Sequence, residues 1–315
     1  MKHIFGPVPS RRFGHSLGVD IIPLKYCTLD CIYCQLGRTT HLTVTRKKYS
    51  PVKSVLNELK KVLKLKSNRA KIDCITFSGS GEPTLNSNIG KMISEIKKIS
   101  NVPVVVLTNG TLLFRQDVKN DLLQADIVAP SLDGIPSFQK IDRPHKSLDI
   151  EKIIDGLEQF RKAYKGKIWL EILFVKDIND SQYEIESLKE AIAKIKPDKI
   201  HLNTVVRPSA EDYAKPLGRK KLLEIRKFFG KNCEIISDKI IKPHHCIEAD
   251  NGESIQQKIL QILPRRPLRL EDIIGVIKSN EGTILKELWL LERRKKIIKE
   301  NGWWKMTPDT VGNNT

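Results

Sequence analysis

The sequence contains no long apolar run. Its 315 residues include no stretch of eighteen consecutive apolar residues, which excludes a hydrophobic membrane-spanning helix. The first fourteen residues, MKHIFGPVPSRRFG, have no apolar segment of the length that a secretory signal peptide needs. We therefore expect a cytoplasmic protein without a membrane partner, in which cysteine thiols stay reduced.

Cysteine is scarce and negative charge is in deficit. A chain of this length can bury a core that needs no disulfides, so its six cysteines are metal ligands, catalytic groups or inert core residues. The sequence has 55 Lys and Arg against 37 Asp and Glu, a net charge of +18 at pH 7. This excess favours an acidic partner such as nucleic acid, although lysines on solvated helix faces would give the same total.

The middle of the chain alternates short β-branched runs with amphipathic segments. Strands are predicted at 17–22, 72–77, 103–108, 126–130, 168–175 and 199–206. Helices are predicted after an N-cap at Ser50-Pro51, and at 89–99, 115–123, 150–163, 180–195 and 216–229. Six such units predict an α/β fold, a partial (βα)6 TIM-like barrel, with a doubly wound open sheet as the alternative. In either fold the chemistry belongs at the carboxyl ends of the strands.

The pattern changes after Cys233. We predict a first domain at 1–245, a linker at 246–252 and a small domain at 253–308, with helices at 253–263, 269–278 and 281–292. A basic run at 293–296 precedes a hairpin that turns at Asn301-Gly302. Three helices and a hairpin predict a winged-helix-like domain. Its basic wing, with Trp303 and Trp304, suits single-stranded or flipped bases, or else a peptide or another protein, and one tryptophan is expected in the core.

Three cysteines, Cys27, Cys31 and Cys34, fall within eight residues just after the first predicted strand. The spacing also fits one face of a helix with inert thiols, but a loop is expected here. Close thiols in a reducing compartment are typical of metal ligands. Structural zinc needs a fourth ligand, and His15 and His41 are poorly spaced to supply it. Three cysteines from one loop suit a [4Fe–4S] cluster that leaves one iron open.

The motif Cys27-x3-Cys31-x2-Cys34, with Tyr33 before the third cysteine, resembles the signature of the radical S-adenosylmethionine (SAM) superfamily. The resemblance implies that the open iron binds SAM and that the cluster passes an electron to its sulfonium. The 5′-deoxyadenosyl radical then takes a hydrogen from the substrate. It also implies an electron donor such as flavodoxin or ferredoxin. The cofactor supplies the chemistry, while the protein places the reactants and excludes water.

A glycine-rich turn after the second strand supports the resemblance. Ser78-Gly79-Ser80-Gly81-Glu82-Pro83 is similar to the superfamily's GGEP motif, with Ser80 in place of the first glycine, as is common in tRNA-modifying members. Glycines let the backbone approach a ligand closely, so exposed backbone groups here are expected to meet the SAM ammonium.

Polar residues also end three later strands: Thr108 and Asn109, Ser131 and Asp133, Asn203 and Arg207. The resemblance implies that hydroxyls such as those of Thr108 and Ser131 bind the SAM carboxylate and ribose, although turn chemistry explains the same residues. Asn203 is expected to meet the adenosine, and Arg207 to hold a carboxylate or phosphate by its planar fork.

No residue is assigned to the reaction on the substrate. Arg143 and His145, in the loop after the fourth unit, are candidates for a substrate clamp or a proton donor. Glu171 is a third candidate, because a carboxylate that points inward from a strand must be paired or functional. Arg11-Arg12 is expected near the rim of the cluster. Cys233 and Cys246, with His244-His245 beside the latter, could form a second metal site.

The N-terminal stretch GPVPSRR-x-G-x-SLG-x-D, residues 6–20, is similar to that of a radical SAM family grouped with the wyosine-type tRNA enzymes. Those enzymes hold a second cluster with upstream cysteines, and this chain has none before Cys27, so the wyosine reaction itself is not implied. The resemblance, over about residues 4–245, predicts a radical SAM enzyme that modifies an RNA base, in tRNA. The alternatives are radical modification or activation of a protein or peptide, and a non-catalytic iron–sulfur or zinc protein that binds nucleic acid.

Overall fold

The computed structural model describes residues 2–64, 72–237, 254–277 and 279–307. Its strands are β1 (Ile4–Ser10), β2 (Gly14–Val19), β3 (Tyr26–Cys27), β4 (His41–Leu42), β5 (Cys74–Phe77), β6 (Val104–Thr108), β7 (Ile127–Pro130), β8 (Lys167–Phe174), β9 (Lys199–Thr204), β10 (Cys233–Ile235), β11 (Ile297–Glu300) and β12 (Trp303–Met306). Its helices are α1 (Val52–Lys64), α2 (Ile89–Ile99), α3 (Gln116–Leu122), α4 (Phe138–Ile141), α5 (Ile150–Ala163), α6 (Gln182–Ile195), α7 (Arg219–Phe229), α8 (Ile255–Ile262), α9 (Leu270–Val276) and α10 (Glu281–Arg293).

One eight-stranded sheet organises the first 237 residues. Its strand order is β1-β2-β5-β6-β7-β8-β9-β10, and every neighbouring pair is parallel except β1 with β2. From β2 onward the order across the sheet repeats the order along the chain. A doubly wound sheet would reverse direction at a switch point, so the predicted singly wound, barrel-like α/β fold is confirmed.

The six predicted strands correspond to β2 and β5 to β9, and the predicted helices agree with the observed ones to within a few residues. The first strand starts and ends three residues earlier than predicted. The N-cap at Ser50 is wrong, because the Ser50 hydroxyl donates to the carbonyl of Ile21 at 3.0 Å and helix α1 starts at Val52. The edge strands β1 and β10 were not predicted.

Alternate side chains of the strands face two different layers. In β8, Ile168, Leu170 and Ile172 are buried in the main core between the sheet and the helices. Trp169 faces the other way and packs in a second cluster with Phe13 and with Cys74, which confirms Cys74 as a core residue. Glu171 shares that inward face, since side chains of a strand alternate.

The C-terminal residues form helices α8 to α10 and the β11–β12 hairpin, in the predicted order. Their hydrophobic core includes Trp304, and it also takes in Phe5 and Val8 from β1. The edge strand β1 is thereby covered rather than left open to another chain. Residues 238–253, which contain the predicted linker and Cys246, lie outside the described residues.

In the described parts of the chain, no helix has both the length and the apolar character needed to cross a membrane.

Candidate functional site

A small ladder closes the base of the cysteine loop. Strands β3 and β4 pair Tyr26 with His41 and Cys27 with Leu42, and the Tyr26 and His41 rings stack with centroids 4.0 Å apart. The amide of Thr43 donates to the carbonyl of Cys27 at 2.9 Å. The thirteen-residue connection from β3 to β4 is therefore a fixed loop, as the sequence predicts, and not a helix.

The far side of this loop is tied to the segment that follows helix α4. The amides of Asp30 and Ile32 donate to the carbonyls of Asp142 and Ile141, each at 3.0 Å. Backbone pairing on both sides fixes the three cysteines relative to the sheet before any metal binds, because paired backbone groups resist displacement.

Arg143 contributes to this attachment. Its backbone φ is +42°, in a region that side chains with a Cβ rarely adopt. Its guanidinium donates to the carbonyl of Asp30 and to the carboxylate of Glu211, both at 2.7 Å. The structure thus places Arg143 beneath the cysteine loop. His145, the other candidate from this segment, is half-buried and its Nδ1 lies 2.9 Å from the hydroxyl of Ser147.

The three thiols share one polar, half-buried environment. The Asn109 side-chain amide lies 3.6 Å from Cys27 Sγ, and the Cys31 thiol donates to Asp142 at 3.1 Å. Burial, with the nearby Glu82 adding to it, raises the pKa of Cys27 to about 12. Burial likewise raises the pKa of Cys31 and of Cys34. A raised pKa favours the protonated thiol, so a metal bound here would have to displace the thiol protons.

The donor set fits a cluster better than a single ion. Among the described residues, no three His, Cys, Asp or Glu side chains converge as the ligands of one metal ion would. Zinc draws thiolates to about 2.3 Å from a single centre, whereas an iron–sulfur cube takes each thiolate at a different corner. Three cysteines on one loop, with no fourth ligand grouped with them in the described part of the chain, match the second arrangement.

Tyr33 links the loop to two buried carboxylates. Its hydroxyl donates to Asp133 and lies 3.5 Å from Asp142. Burial raises the pKa of Asp133 to about 6, and burial followed by the neighbouring Asp133 raises the pKa of Asp142. Asp133 also accepts from the amide of Leu173 at 2.6 Å. Asp133 therefore holds the end of β8 and the cysteine loop together.

The glycine-rich turn packs against Tyr26 of β3 and against Asp20, which directly follows β2. A Cβ at Gly81 would overlap the carbonyl oxygen of Tyr26, and one at Gly79, whose φ is +137°, would overlap the carboxylate of Asp20. That carboxylate accepts from the amide of Ser80 at 3.2 Å and from its hydroxyl at 2.5 Å. Glycine at 79 and 81 allows this contact, which sets the turn directly beside the cysteine loop.

Glu82 organises the carboxyl ends of two strands. It is buried and accepts from the hydroxyls of Thr84 and Thr108 at 2.6 and 2.7 Å and from the amide of Asn109 at 2.8 Å. Burial raises the pKa of Glu82, and these hydrogen bonds act in the opposite direction. The Thr108 hydroxyl, which was predicted to contact SAM, thus donates its hydrogen bond to Glu82.

We expect Gly81→Ala to lower the free energy of unfolding by about 2 kcal/mol or more, since the new methyl group must displace the backbone of Tyr26. Because Cys27 follows that residue, the iron bound on anaerobic reconstitution should also fall. The matched control is Gly218→Ala, where an added Cβ meets nothing within 4 Å and the cost should stay under about 1 kcal/mol. Chemical denaturation and iron analysis measure both effects; equal stability of the two variants would contradict the packing described.

The inward face of β8 carries an ion pair. Glu171 accepts from the guanidinium of Arg12 and, at 2.8 Å, from the side-chain amide of Asn203 on β9. Glu171 is therefore paired, the first of the two outcomes expected of it. Arg11 and Arg12 lie at the β1–β2 turn, and within the described ranges their side-chain hydrogen bonds go to Ser237 and Glu171 and not to Cys27, Cys31 or Cys34.

A cavity of about 1050 Å³ opens beside these elements. It brings together four of the predicted cofactor-binding residues, Ser78, Gly79, Asn203 and Arg207, with Gln35, which follows the last cysteine. Residues of helix α9 and Trp303 of the hairpin also line it. Ser131 and Asp133 lie instead around a much smaller space next to Asn109 and Asp142.

Asp20, Gln35 and Arg265 were not singled out from the sequence. The guanidinium of Arg265 donates to Asp20 at 2.7 Å, and its backbone carbonyl accepts from the amide of Gln35 at 3.2 Å. Arg207 donates to Gln35 at 2.9 Å. The only sequence signal was the Asp that closes the N-terminal SLG-x-D stretch, which ends at residue 20.

Comparison with known proteins gives relatives over most of the chain. A UPF0026 protein from Methanocaldococcus jannaschii is 37% identical over 287 residues, 89% of this chain and 88% of that protein. A GTPase Obg from Brachyspira hyodysenteriae is 38% identical over 95% of this chain, which spans only 44% of that longer relative. A probable dual-specificity RNA methyltransferase RlmN from a Thermotoga species is 26% identical, over 65% of this chain and 59% of that protein.

Solved structures share the fold at low identity. A radical SAM methyltransferase from Sphaerobacter thermophilus matches with a TM-score of 0.53 and 16% identity, over 70% of this chain and 65% of that one. Streptococcus suis SuiB, bound to its precursor peptide SuiA, matches with a TM-score of 0.51 and 15% identity, over 69% of this chain and 48% of that one. The model of the radical SAM superfamily matches residues 21–203, more than half of the sequence. Together with the M. jannaschii relative, this match establishes that the chain belongs to the radical SAM superfamily of enzymes, among its UPF0026 proteins.

Proposed function

We propose that this enzyme uses a [4Fe–4S] cluster and SAM to modify a base of an RNA, in tRNA. Radical SAM proteins bind both cofactors, and the bound pair supplies a 5′-deoxyadenosyl radical that takes a hydrogen from substrate. In this chain Cys27, Cys31 and Cys34 are the residues that would hold the cluster. The single observation that carries the proposal is the large basic cavity that reaches from Gln35, next to the last cysteine, to Trp303.

The residues around the glycine-rich turn would position SAM. Ser78 and Gly79 line the cavity, and the Asp20–Ser80 contact keeps this turn rigid. Asn203, which donates to Glu171, lies at the carboxyl end of β9 and lines the same cavity. A rigid arrangement of this kind lowers the entropic cost of aligning reactants.

Three features support RNA as the substrate. The net charge of +18 suits a polyanion. Trp303 lines the cavity while Trp304 is buried in the core, so one ring of the pair is placed for stacking. The RlmN relative is named as an RNA methyltransferase. A peptide, as in the SuiB complex, is the competing substrate, and that likeness is one of fold alone.

The test is mass spectrometry of tRNA and of the proteome from cells that lack the protein. We expect one modified nucleoside to disappear from tRNA and to return with the intact gene, but not with a Cys34→Ala version. If the only modification lost were on a protein residue, the substrate would be a polypeptide and not RNA. Reduced, reconstituted protein that forms no 5′-deoxyadenosine with either substrate would favour a nucleic-acid-binding protein without catalysis.

A further inference from the structure

Guanidinium groups dominate the wall of the large cavity. Six arginines line it, against two carboxylates from helix α9: Arg11, Arg12, Arg207, Arg265, Arg266 and Arg269, with Glu271 and Asp272. They come from three places in the chain, namely the β1–β2 turn, the segment after β9 and the segment between α8 and α9. Bringing like charges together from distant segments costs electrostatic free energy unless opposite charge compensates it.

Two of the six are compensated within the protein. Arg12 is paired with Glu171, and Arg265 is paired with Asp20 at 2.7 Å. These two arginines therefore act as structural cations.

In the described part of the chain, the side chains of three others donate hydrogen bonds to neutral acceptors. Arg207 donates to the amide oxygen of Gln35 at 2.9 Å, Arg266 to the carbonyl of Pro9 at 3.3 Å and Arg11 to the carbonyl of Ser237 at 3.5 Å. The buried Nε atoms of Arg207 and Arg266 have no hydrogen-bond partner in the described ranges. Such donors are costly to leave unsatisfied, so this group of arginines favours an anionic ligand.

The surroundings also disfavour the positive charge. Burial, followed by the neighbouring Arg266 and Arg11, lowers the pKa of Arg207 to about 9. Burial is the main cause that lowers the pKa of Arg11 and of Arg266 as well, with Asp272 acting against it. An anion in the cavity would reverse these effects.

We propose that Arg11, Arg207 and Arg266 bind the phosphate of the substrate nucleotide, an inference that rests on the proposed RNA modification. A guanidinium fork matches phosphate oxygens in a bidentate geometry. SAM carries an ammonium and a sulfonium besides its carboxylate, so it adds no net negative charge, and Asp272 is the one carboxylate found to act on all three cations. The cavity of about 1050 Å³ is large enough for SAM and one nucleotide. Trp303, with the Arg269 guanidinium 4.6 Å from its ring centroid, lines the same cavity and would stack on the base.

Binding to the full-length protein tests the site directly, by calorimetry without SAM. The probes are the four nucleoside 5′-monophosphates, the same nucleosides without phosphate, and total tRNA. We expect Arg207→Gln and Arg266→Gln each to weaken binding of a phosphate-bearing probe about tenfold or more, with little effect on nucleosides. Arg266→Lys, which keeps the charge, should lose less. Arg115→Gln, which removes an arginine outside the cavity, is the matched control and should bind like the parent protein.

Thermal unfolding separates a ligand site from a structural one. Without ligand, Arg266→Gln should raise the melting temperature, since it relieves repulsion within the cluster. Added phosphate ligand should then stabilise the parent protein more than the variant. A lower melting temperature together with unchanged phosphate binding would overturn the site.

The two proposals fail in different ways. If monophosphates bind through Arg207 and Arg266 but tRNA does not bind, the phosphate site is supported. The substrate would then be a free nucleotide and not RNA. Binding of tRNA that responds equally to Arg266→Gln and Arg115→Gln would keep RNA as the substrate and overturn the phosphate site. Nucleosides that bind as tightly as their monophosphates would also overturn it.

Discussion

Cys31→Ala protein, prepared and reconstituted without oxygen, is expected to lose the broad visible absorbance of an iron–sulfur cluster and to form no 5′-deoxyadenosine from SAM. Each of the three cysteines would supply one iron of the cube with its only protein ligand, so two thiolates cannot hold it. The loop itself should survive, because its attachments run through backbone groups of Asp30 and Ile32 and not through the Cys31 side chain. Bound iron should fall from about four per chain toward zero.

Cys74→Ala is the matched control for this experiment. Its thiol is buried in the inner cluster with Phe13 and Trp169. Removing it should cost about 1 kcal/mol of stability through lost packing while leaving iron and absorbance intact. If Cys31→Ala protein kept its iron and its absorbance, the assignment of the cluster to this loop would be wrong. The proposed radical chemistry would then lose its basis.

Asp20→Ala is expected to lower the free energy of unfolding by about 3 kcal/mol and to weaken SAM binding to the cluster-loaded protein. The Asp20 carboxylate, only 5% exposed, accepts from Arg265 at 2.7 Å. It also holds the amide and hydroxyl of Ser80. Breaking a buried pair leaves an uncompensated charge, which typically costs 3–5 kcal/mol. The same change releases the glycine-rich turn, so SAM affinity should decrease together with the free energy of unfolding.

Denaturant titration and equilibrium dialysis with SAM measure the two effects. Glu95→Ala, which removes an exposed helix-surface pair with Lys98, is the control and should cost under about 1 kcal/mol. The double variant Asp20→Asn/Arg265→Gln should lose less stability than the sum of its single variants, because neither charge is left unpaired. Additive losses, or SAM affinity unchanged in Asp20→Ala, would contradict the role assigned to this contact.

Local signals in the sequence predicted most of the fold. Alternating β-branched and amphipathic segments defined six strands of the sheet, and three closely spaced cysteines defined the loop at its carboxyl end. Strand β1 was not predicted because Gly6, Pro7 and Pro9 interrupt its run of apolar residues. Proline is tolerated there only because β1 is an edge strand, with its sequence neighbour β2 on one side. Strand β10 has three residues, too few for a pattern.

Contacts between residues that are far apart in the sequence could not be predicted from local patterns. Arg265 and Asp20 are 245 positions apart, and Arg12 and Glu171 are 159 apart. Each of these arginines looks like surface charge until the fold buries it beside a carboxylate. The predicted winged-helix identity of the C-terminal domain stays a prediction, although its helices and hairpin occur as expected. The second metal site also stays a prediction, since Cys246 lies outside the described residues.

One side-chain amide connects the proposed phosphate site to the cysteine loop. Gln35 directly follows Cys34, accepts from Arg207 and donates to the backbone of Arg265. A ligand that draws the Arg207 guanidinium toward itself must therefore change the hydrogen bonding beside Cys34. Hydrogen bonds near cluster sulfurs tune reduction potential. In the proposed enzyme, a substrate bound at Arg207 would therefore shift the reduction potential of a cluster held by Cys34.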